Sequence, residues 1–134
     1  PTRVLLAEDS AINRTIAERM LQKLGFEMDV VHNGLEAVEA CKEVEYGIVL
    51  MDCQMPVIDG YQATRRIRAH FGKRKGPVIV ALTANAGPTE RQKCIDAGMD
   101  DHLSKPFSPE RLEETMNSWA HKIAVSQGHP TAVR

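Results

Sequence analysis

Short apolar runs alternate with amphipathic stretches along this chain. Val4-Leu5-Leu6-Ala7, Met28 to Val31, Ile48 to Met51 and Val78 to Leu82 are the strong runs, and Asp101-His102-Leu103 is a weaker fifth. The runs at 4–7, 48–51 and 78–82 do not alternate with polar residues, which predicts parallel strands covered by helices on both faces. Between them the period becomes helical. Ile12, Ile16, Met20 and Leu24 form one stripe and Leu112, Met116, Trp119 and Ile123 another, both expected to face the sheet.

Helix boundaries are legible as well. Ser10 caps the first helix, Asn33 with Glu36 forms a near capping box for the second, and Asp59 with Gln62 does so for the third. Gly87-Pro88 and Ser108-Pro109 open the fourth and fifth, with proline at the first helical position, where its missing N–H does no harm. Gly25, Gly72 and Gly98 stand just past the first, third and fourth helices. Five strand-helix units with short connections predict an α/β fold, a doubly wound parallel sheet. The domain is expected over residues 1–125. From Ser126 to Arg134 the periodicity is lost, as in a tail or the start of a linker.

Composition narrows the class. The 134 residues carry 17 Lys and Arg against 18 Asp and Glu, so no chain-wide basic field exists to draw nucleic acid or an anionic membrane. The longest unbroken apolar run, Val78 to Leu82, is far short of the roughly 20 residues that span a bilayer. Pro1-Thr2-Arg3 does not resemble a signal peptide, and the missing Met fits processing or excision from something longer. Cys41, Cys53 and Cys94 form no Cys-x-x-Cys pair, which argues against a disulfide framework or a zinc site and for a reducing, cytoplasmic setting. No two of the five histidines have the i, i+4 spacing of a helical metal site.

Chemistry gathers where the strands end. Glu8 and Asp9 follow the first, Asp52 the third, Thr83 the fourth and Lys105 the fifth, and a parallel sheet brings such residues to its carboxyl edge. With strands 1 and 3 as neighbours, three carboxylates would crowd together. Two unit charges 4 Å apart repel by about 4 kcal/mol at an effective dielectric near 20, so the cluster calls for a cation. An all-oxygen donor set suits Mg²⁺, with Mn²⁺ as the alternative ion. The chemistry that fits is phosphoryl transfer to a carboxylate, with metal, Lys and hydroxyl neutralising the phosphoryl oxygens.

Leu5-Leu6-Ala7-Glu8-Asp9, Leu50-Met51-Asp52-Cys53-Gln54-Met55-Pro56 with Asp59-Gly60, Leu82-Thr83-Ala84-Asn85 and Ser104-Lys105-Pro106-Phe107 carry a family resemblance. Over about residues 3 to 124 the chain resembles the receiver domains of response regulators in two-component signalling. Leu82 to Ala86 and Ala97 to Pro106 are especially similar to receivers of hybrid sensor histidine kinases, so the resemblance implies a cytoplasmic domain, with the cytoplasmic part of a membrane-bound hybrid histidine kinase as one expected setting. The resemblance implies the flavodoxin-like strand order 2-1-3-4-5.

It also implies roles. Asp52 would accept a phosphoryl group from a histidine kinase's phosphohistidine and pass it to a histidine phosphotransfer domain, the chain promoting its own phosphorylation and autodephosphorylation without a kinase domain. Asp9 and Asp52 would bind the metal with the Gln54 main-chain carbonyl, and Glu8 would hold a metal-bound water. Lys105 would pair with Asp52 and then with a phosphoryl oxygen, Thr83 would turn its hydroxyl to another, and Ala84 would leave room. Gln54 and Asn85 would tune hydrolysis, and the Lys105-Pro106 peptide would be cis. His102 stands where most members carry Tyr or Phe as a switch, and is expected beside Thr83. No direct nucleic-acid or membrane contact is implied.

Rival readings fare worse. A flavodoxin-type electron carrier needs a hydroxyl- and glycine-rich first loop, and here it is Glu8-Asp9-Ser10. An aspartyl-phosphate hydrolase of the haloacid dehalogenase type needs an Asp two after the nucleophile, where Gln54 stands. A nucleotide switch would need a phosphate-binding loop with Gly-Lys-Ser/Thr, which is absent. A phosphorylation-independent interaction module would have no use for the full set of strand-end residues.

Overall fold

The structure, a computed structural model, describes residues 2–74, 76–85 and 87–126. Strand and helix alternate throughout: β1 (Arg3–Ala7), α1 (Ala11–Lys23), β2 (Glu27–Val31), α2 (Gly34–Glu43), β3 (Ile48–Asp52), α3 (Gly60–Phe71), β4 (Val78–Thr83), α4 (Pro88–Ala97), β5 (Asp101–Ser104) and α5 (Pro109–Ser126). The strands make one sheet in the order β2-β1-β3-β4-β5, every pair parallel. The expected doubly wound α/β fold is therefore observed.

Period-two alternation within the apolar strands builds two cores. Leu5, Ala7, Val49, Met51, Ile79 and Ala81 point to one face and bury against α2, α3 and α4. Val4, Leu6, Ile48, Leu50, Val80, Leu82 and Leu103 point to the other and meet Ala17 and Leu21 of α1 and Leu112 and Met116 of α5. Both faces are dry, which is why these strands carry no polar alternation. β2 lies at an edge and its residues are only partly covered.

The caps fall as the sequence predicts. Ser10 and Asn33 accept from the main chain three residues on, and Asp59 with Gln62 forms a complete box. In α2 the Glu36 side chain reaches past the cap to accept from the His32 N–H at 2.8 Å. Gly25 and Gly98 take the left-handed conformation that closes a helix without steric cost, at φ 85° and 102°.

One helix face is corrected. The stripe expected to bury in α1 began at Ile12 and Ile16, yet these are 74% and 47% exposed, while Ala17 and Leu21 are buried. A step of four residues turns a helix by about 400°, so a strict i, i+4 ladder drifts around the axis. Met20 and Leu24 are still partly covered, but the contact face is centred on Ala17, whose small side chain lets the helix approach the sheet. The α5 stripe holds, with Leu112 and Met116 buried and Trp119 and Ile123 packed against that core. The helix runs through Ser126, one residue past the expected boundary, and the rest of the proposed tail lies outside the described residues.

At the opposite end of the sheet from the carboxylates, Arg3 donates to Asp29 at 2.9 and 3.1 Å and the Tyr46 hydroxyl donates to Asp29 at 2.6 Å. These bonds hold the Asp29 carboxyl below its ordinary value. Such a group supplies stability that is complete above its unfolded value, about 3.9, and is lost as pH falls through the folded one. Tyr46→Phe should lower stability at pH 7 by about 1 kcal/mol. Urea unfolding at pH 7 and pH 3 should show that difference shrinking in acid.

Candidate functional site

The carboxyl edge of the sheet is where the folding pattern deposits charge. β1 runs directly into Glu8 and Asp9, β3 ends on Asp52, β4 ends on Thr83, and β5 is followed by Lys105. Glu8, Asp52 and Thr83 are buried, at 1%, 5% and 3% exposure, whereas Asp9 is exposed at the rim. The adjacency of β1 and β3 sets one oxygen of each of Glu8, Asp9 and Asp52 within 4.8 Å of the others.

Lys105 reaches across the sheet into this cluster. Its Nζ donates to Glu8 Oε1 at 2.8 Å and to Asp52 Oδ2 at 2.9 Å. Burial works against the ammonium, and hydrogen bonds to Glu8 and Asp52 overcome it, holding its pKa above the ordinary lysine value. The other oxygens of the buried pair are engaged by main-chain N–H groups, Ser10 to Glu8 Oε2 at 3.2 Å and Gln54 to Asp52 Oδ1 at 3.1 Å. Burial, together with the neighbouring Asp52, pushes the Glu8 carboxyl up to about 7 despite the Lys105 bond. Three carboxylates against one ammonium is an excess of negative charge that a hard divalent cation relieves.

Thr83 supplies the second sign that the site awaits a ligand. Its Oγ1 is buried and has no hydrogen-bond partner among the described residues, a condition that costs about 1–3 kcal/mol and calls for a functional explanation. A hydroxyl, an ammonium and a buried carboxylate facing an acidic cluster fit a phosphoryl group with its metal.

The remaining predicted residues are placed around this centre. Ala84 and Asn85 are exposed after β4, and Asn85 Oδ1 accepts from the Gly87 N–H at 2.9 Å. The Gln54 side chain is exposed two residues beyond Asp52. The Lys105-Pro106 peptide is cis. His102 lies on β5, where it pairs with Ala81, and the residue directly opposite Thr83 is Ser104. His102 is half-buried on the same sheet face as Thr83, two pairs further from the carboxyl edge.

Two features of the site were not read from the sequence. Arg14 of α1 donates to the main-chain carbonyls of Glu8 and Asp9. Gly60 opens α3 so close to β3 that a Cβ there would collide with the Asp52 carbonyl oxygen. The Asp59-Gly60 pair was visible, but nothing in the spacing told that the glycine served contact with β3.

Fold and site together define a phosphoryl-accepting signalling domain. The chain belongs to the response regulator receiver domain family, whose sequence profile matches residues 4–117. It is 45% identical over 115 residues to hybrid signal transduction histidine kinase B of Dictyostelium discoideum, covering 78% of this chain and 6% of that protein. It is 40% identical over 119 residues to sensor protein GacS of Pseudomonas syringae pv. syringae, covering 87% of this chain and 13% of that protein. The chain thus spans a small part of the curated relatives it matches.

Solved structures agree. The receiver domain of sensor histidine kinase PA1611 from Pseudomonas aeruginosa, with a magnesium ion coordinated in its active site cleft, superposes with a TM-score of 0.79 at 41% identity, covering 88% of this chain and 96% of that one. The receiver domain of Saccharomyces cerevisiae Ssk1, in co-crystal with the histidine phosphotransfer protein Ypd1, gives 0.83 at 31% identity and 88% of both chains. Among the described residues no helix is long and apolar enough to cross a membrane. The hydrolase and the phosphorylation-independent readings are not favoured by any of this.

Proposed function

We propose that Asp52 is the phosphoryl acceptor of this receiver, taking its phosphoryl group from a phosphohistidine on a histidine kinase or a histidine phosphotransfer domain and passing it on in a cytoplasmic relay of the hybrid-kinase kind. The observation that carries this reading is the buried Asp52 carboxylate bound to Lys105 inside the Glu8, Asp9 and Asp52 cluster. A carboxylate oxygen of Asp52 attacks phosphorus, the phosphorus–nitrogen bond breaks, and the imidazole leaves with its electron pair. Asp9, Asp52 and the Gln54 main-chain carbonyl would hold Mg²⁺, or Mn²⁺ in its place, with Glu8 acting through water. The ion, when bound, offsets negative charge on the phosphoryl oxygens.

The chain's own residues do the rest. Lys105 exchanges its bond to Asp52 for one to a phosphoryl oxygen, and Thr83 Oγ1 gains there the partner it lacks. Exposed Ala84 gives the group room. Gln54 and Asn85 flank the approach of water and, having no strong base to offer, slow hydrolysis of the acyl phosphate. Movement of Thr83 alters the sheet face it shares with His102, which acts as the switch residue at the β5 surface in spite of its polar ring.

Ile12 and Ile16 give the donor a place to dock. Both are exposed on α1, beside the β1–α1 turn that carries Glu8 and Asp9, and an apolar pair at one helical turn's spacing suits an amphipathic helix of a phosphotransfer domain. The test is phosphotransfer from a purified, phosphohistidine-loaded domain in Mg²⁺, followed by intact mass. The unsubstituted chain should be labelled, and Ile12→Lys should slow transfer by roughly tenfold, the loss of a contact worth about 1.4 kcal/mol. Acetyl phosphate, which needs no docked helix, serves as the control donor. Absence of labelling from every donor would overturn the reading.

A further inference from the structure

Arg14 stands where local electrostatics disfavours it. It is the fourth residue of α1, near the positive pole of the helix dipole, and no acidic side chain lies in that first turn. Residues that break a local rule are expected where function repays the cost. Here the repayment is outside the helix: Arg14 Nη1 donates to the Glu8 carbonyl at 3.0 Å and to the Asp9 carbonyl at 2.8 Å. Two successive carbonyls drawn onto one donor fix the peptide unit between them.

That clamp acts on the one carboxylate of the cluster that nothing else holds. Glu8 is gripped by Lys105 and by the Ser10 N–H, and Asp52 by Lys105 and by the Gln54 N–H. The Asp9 side chain is exposed and accepts no hydrogen bond among the described residues. Its position is set by its main chain, and that main chain is tied to α1 by Arg14. Because the guanidinium spends itself on carbonyls, every Asp9 carboxylate oxygen stays free for a cation.

We propose that Arg14 is a positioning residue for divalent-cation binding: by clamping the Glu8 and Asp9 carbonyls it holds the Asp9 carboxylate at the cluster and lowers the ordering cost of taking up the ion. This rests on the metal-site reading above. A purely electrostatic role would have the opposite sign, since a positive charge near the site repels a cation, and the two are separable.

Calorimetric titration with Mg²⁺ of the unsubstituted chain, Arg14→Lys, Arg14→Gln and Arg14→Ala decides between them. The Gln and Ala variants should bind about tenfold more weakly, the scale on which groups that orient metal ligands act, and Lys should recover part of the loss. In EDTA, amide hydrogen exchange at Asp9 and Ser10 should be faster in Arg14→Ala, with an unchanged circular dichroism spectrum reporting an intact fold. With acetyl phosphate as donor, the Mg²⁺ concentration for half-maximal phosphorylation should rise by the same factor while the rate at saturating Mg²⁺ holds. Unchanged or tighter Mg²⁺ binding in Gln and Ala, or a lower maximal rate at an unchanged Mg²⁺ requirement, would overturn the proposal. If the unsubstituted chain binds no Mg²⁺, the site reading itself falls and this proposal with it.

Discussion

Asp52→Asn should abolish phosphorylation by every donor while leaving the chain folded. The amide keeps the size of the carboxylate, but its single carbonyl oxygen can accept from only one of the two donors that now hold different Asp52 oxygens, the Gln54 N–H at 3.1 Å and Lys105 at 2.9 Å. What it loses is the anionic oxygen that attacks phosphorus, so labelling should fall by at least about a hundredfold, which corresponds to roughly 2.7 kcal/mol or more of barrier. A second effect runs the other way. Asp52 is one of the causes, after burial, that hold the Glu8 carboxyl up at about 7, so removing its charge leaves Glu8 paired with Lys105 alone and lets its value fall. The metal-free variant should therefore be no less stable than the parent in thermal unfolding at pH 7, even though it is chemically dead. Intact mass after incubation with acetyl phosphate and Mg²⁺, alongside a melt in EDTA, reads both. Labelling at the parent's level would remove Asp52 from the acceptor role.

The architecture was legible because its signals are local and redundant. The non-alternating runs at 4–7, 48–51 and, from Ile79 on, 78–82 are buried, and the proline and glycine punctuation at Pro88, Pro109, Gly25 and Gly98 marks helix ends in the structure as in the sequence. Five chemistry-bearing residues at strand ends could be gathered on paper because a parallel sheet sends all its carboxyl ends to one side. The orientation of α1 was less legible. Pattern reading weighs Ile12 above Ala17, yet close packing against the sheet rewards the small residue. The register of β5 could not be read from so short a strand: His102 is expected beside Thr83, and only the structure shows that its direct partner is Ala81 and that Ser104 stands opposite Thr83. Main-chain contacts left no sequence trace at all, and the Arg14 clamp and the Gly60 approach belong to that kind.

Gly60→Ala should be among the most damaging single substitutions outside the charged cluster. Gly60 is the first residue of α3, its N–H donates to the Cys53 carbonyl at 3.0 Å, and Asp59 before it closes the capping box with Gln62. A methyl group there would meet the Asp52 carbonyl oxygen, with the Asp52 carbonyl carbon and the Cys53 Cα each at 3.0 Å. These are backbone atoms in the central part of the sheet, where β3 lies between β1 and β4, so no flexible side chain can move aside. Relief must come from displacing the start of α3 or the end of β3, at a cost of about 3 kcal/mol, the upper end of what overpacking a dense interior commonly demands. The same displacement carries the Asp52 side chain away from Lys105 and Glu8, so acceptor function should suffer beyond the loss of stability. Urea unfolding should show the midpoint falling, and at a temperature where the variant is still folded its acetyl phosphate labelling rate should be lower than the parent's by up to about a hundredfold, the loss that a misplacement of about 1 Å of a reacting group can bring. A variant with the parent's midpoint and rate would mean that the β3–α3 junction yields freely and does not fix the acceptor.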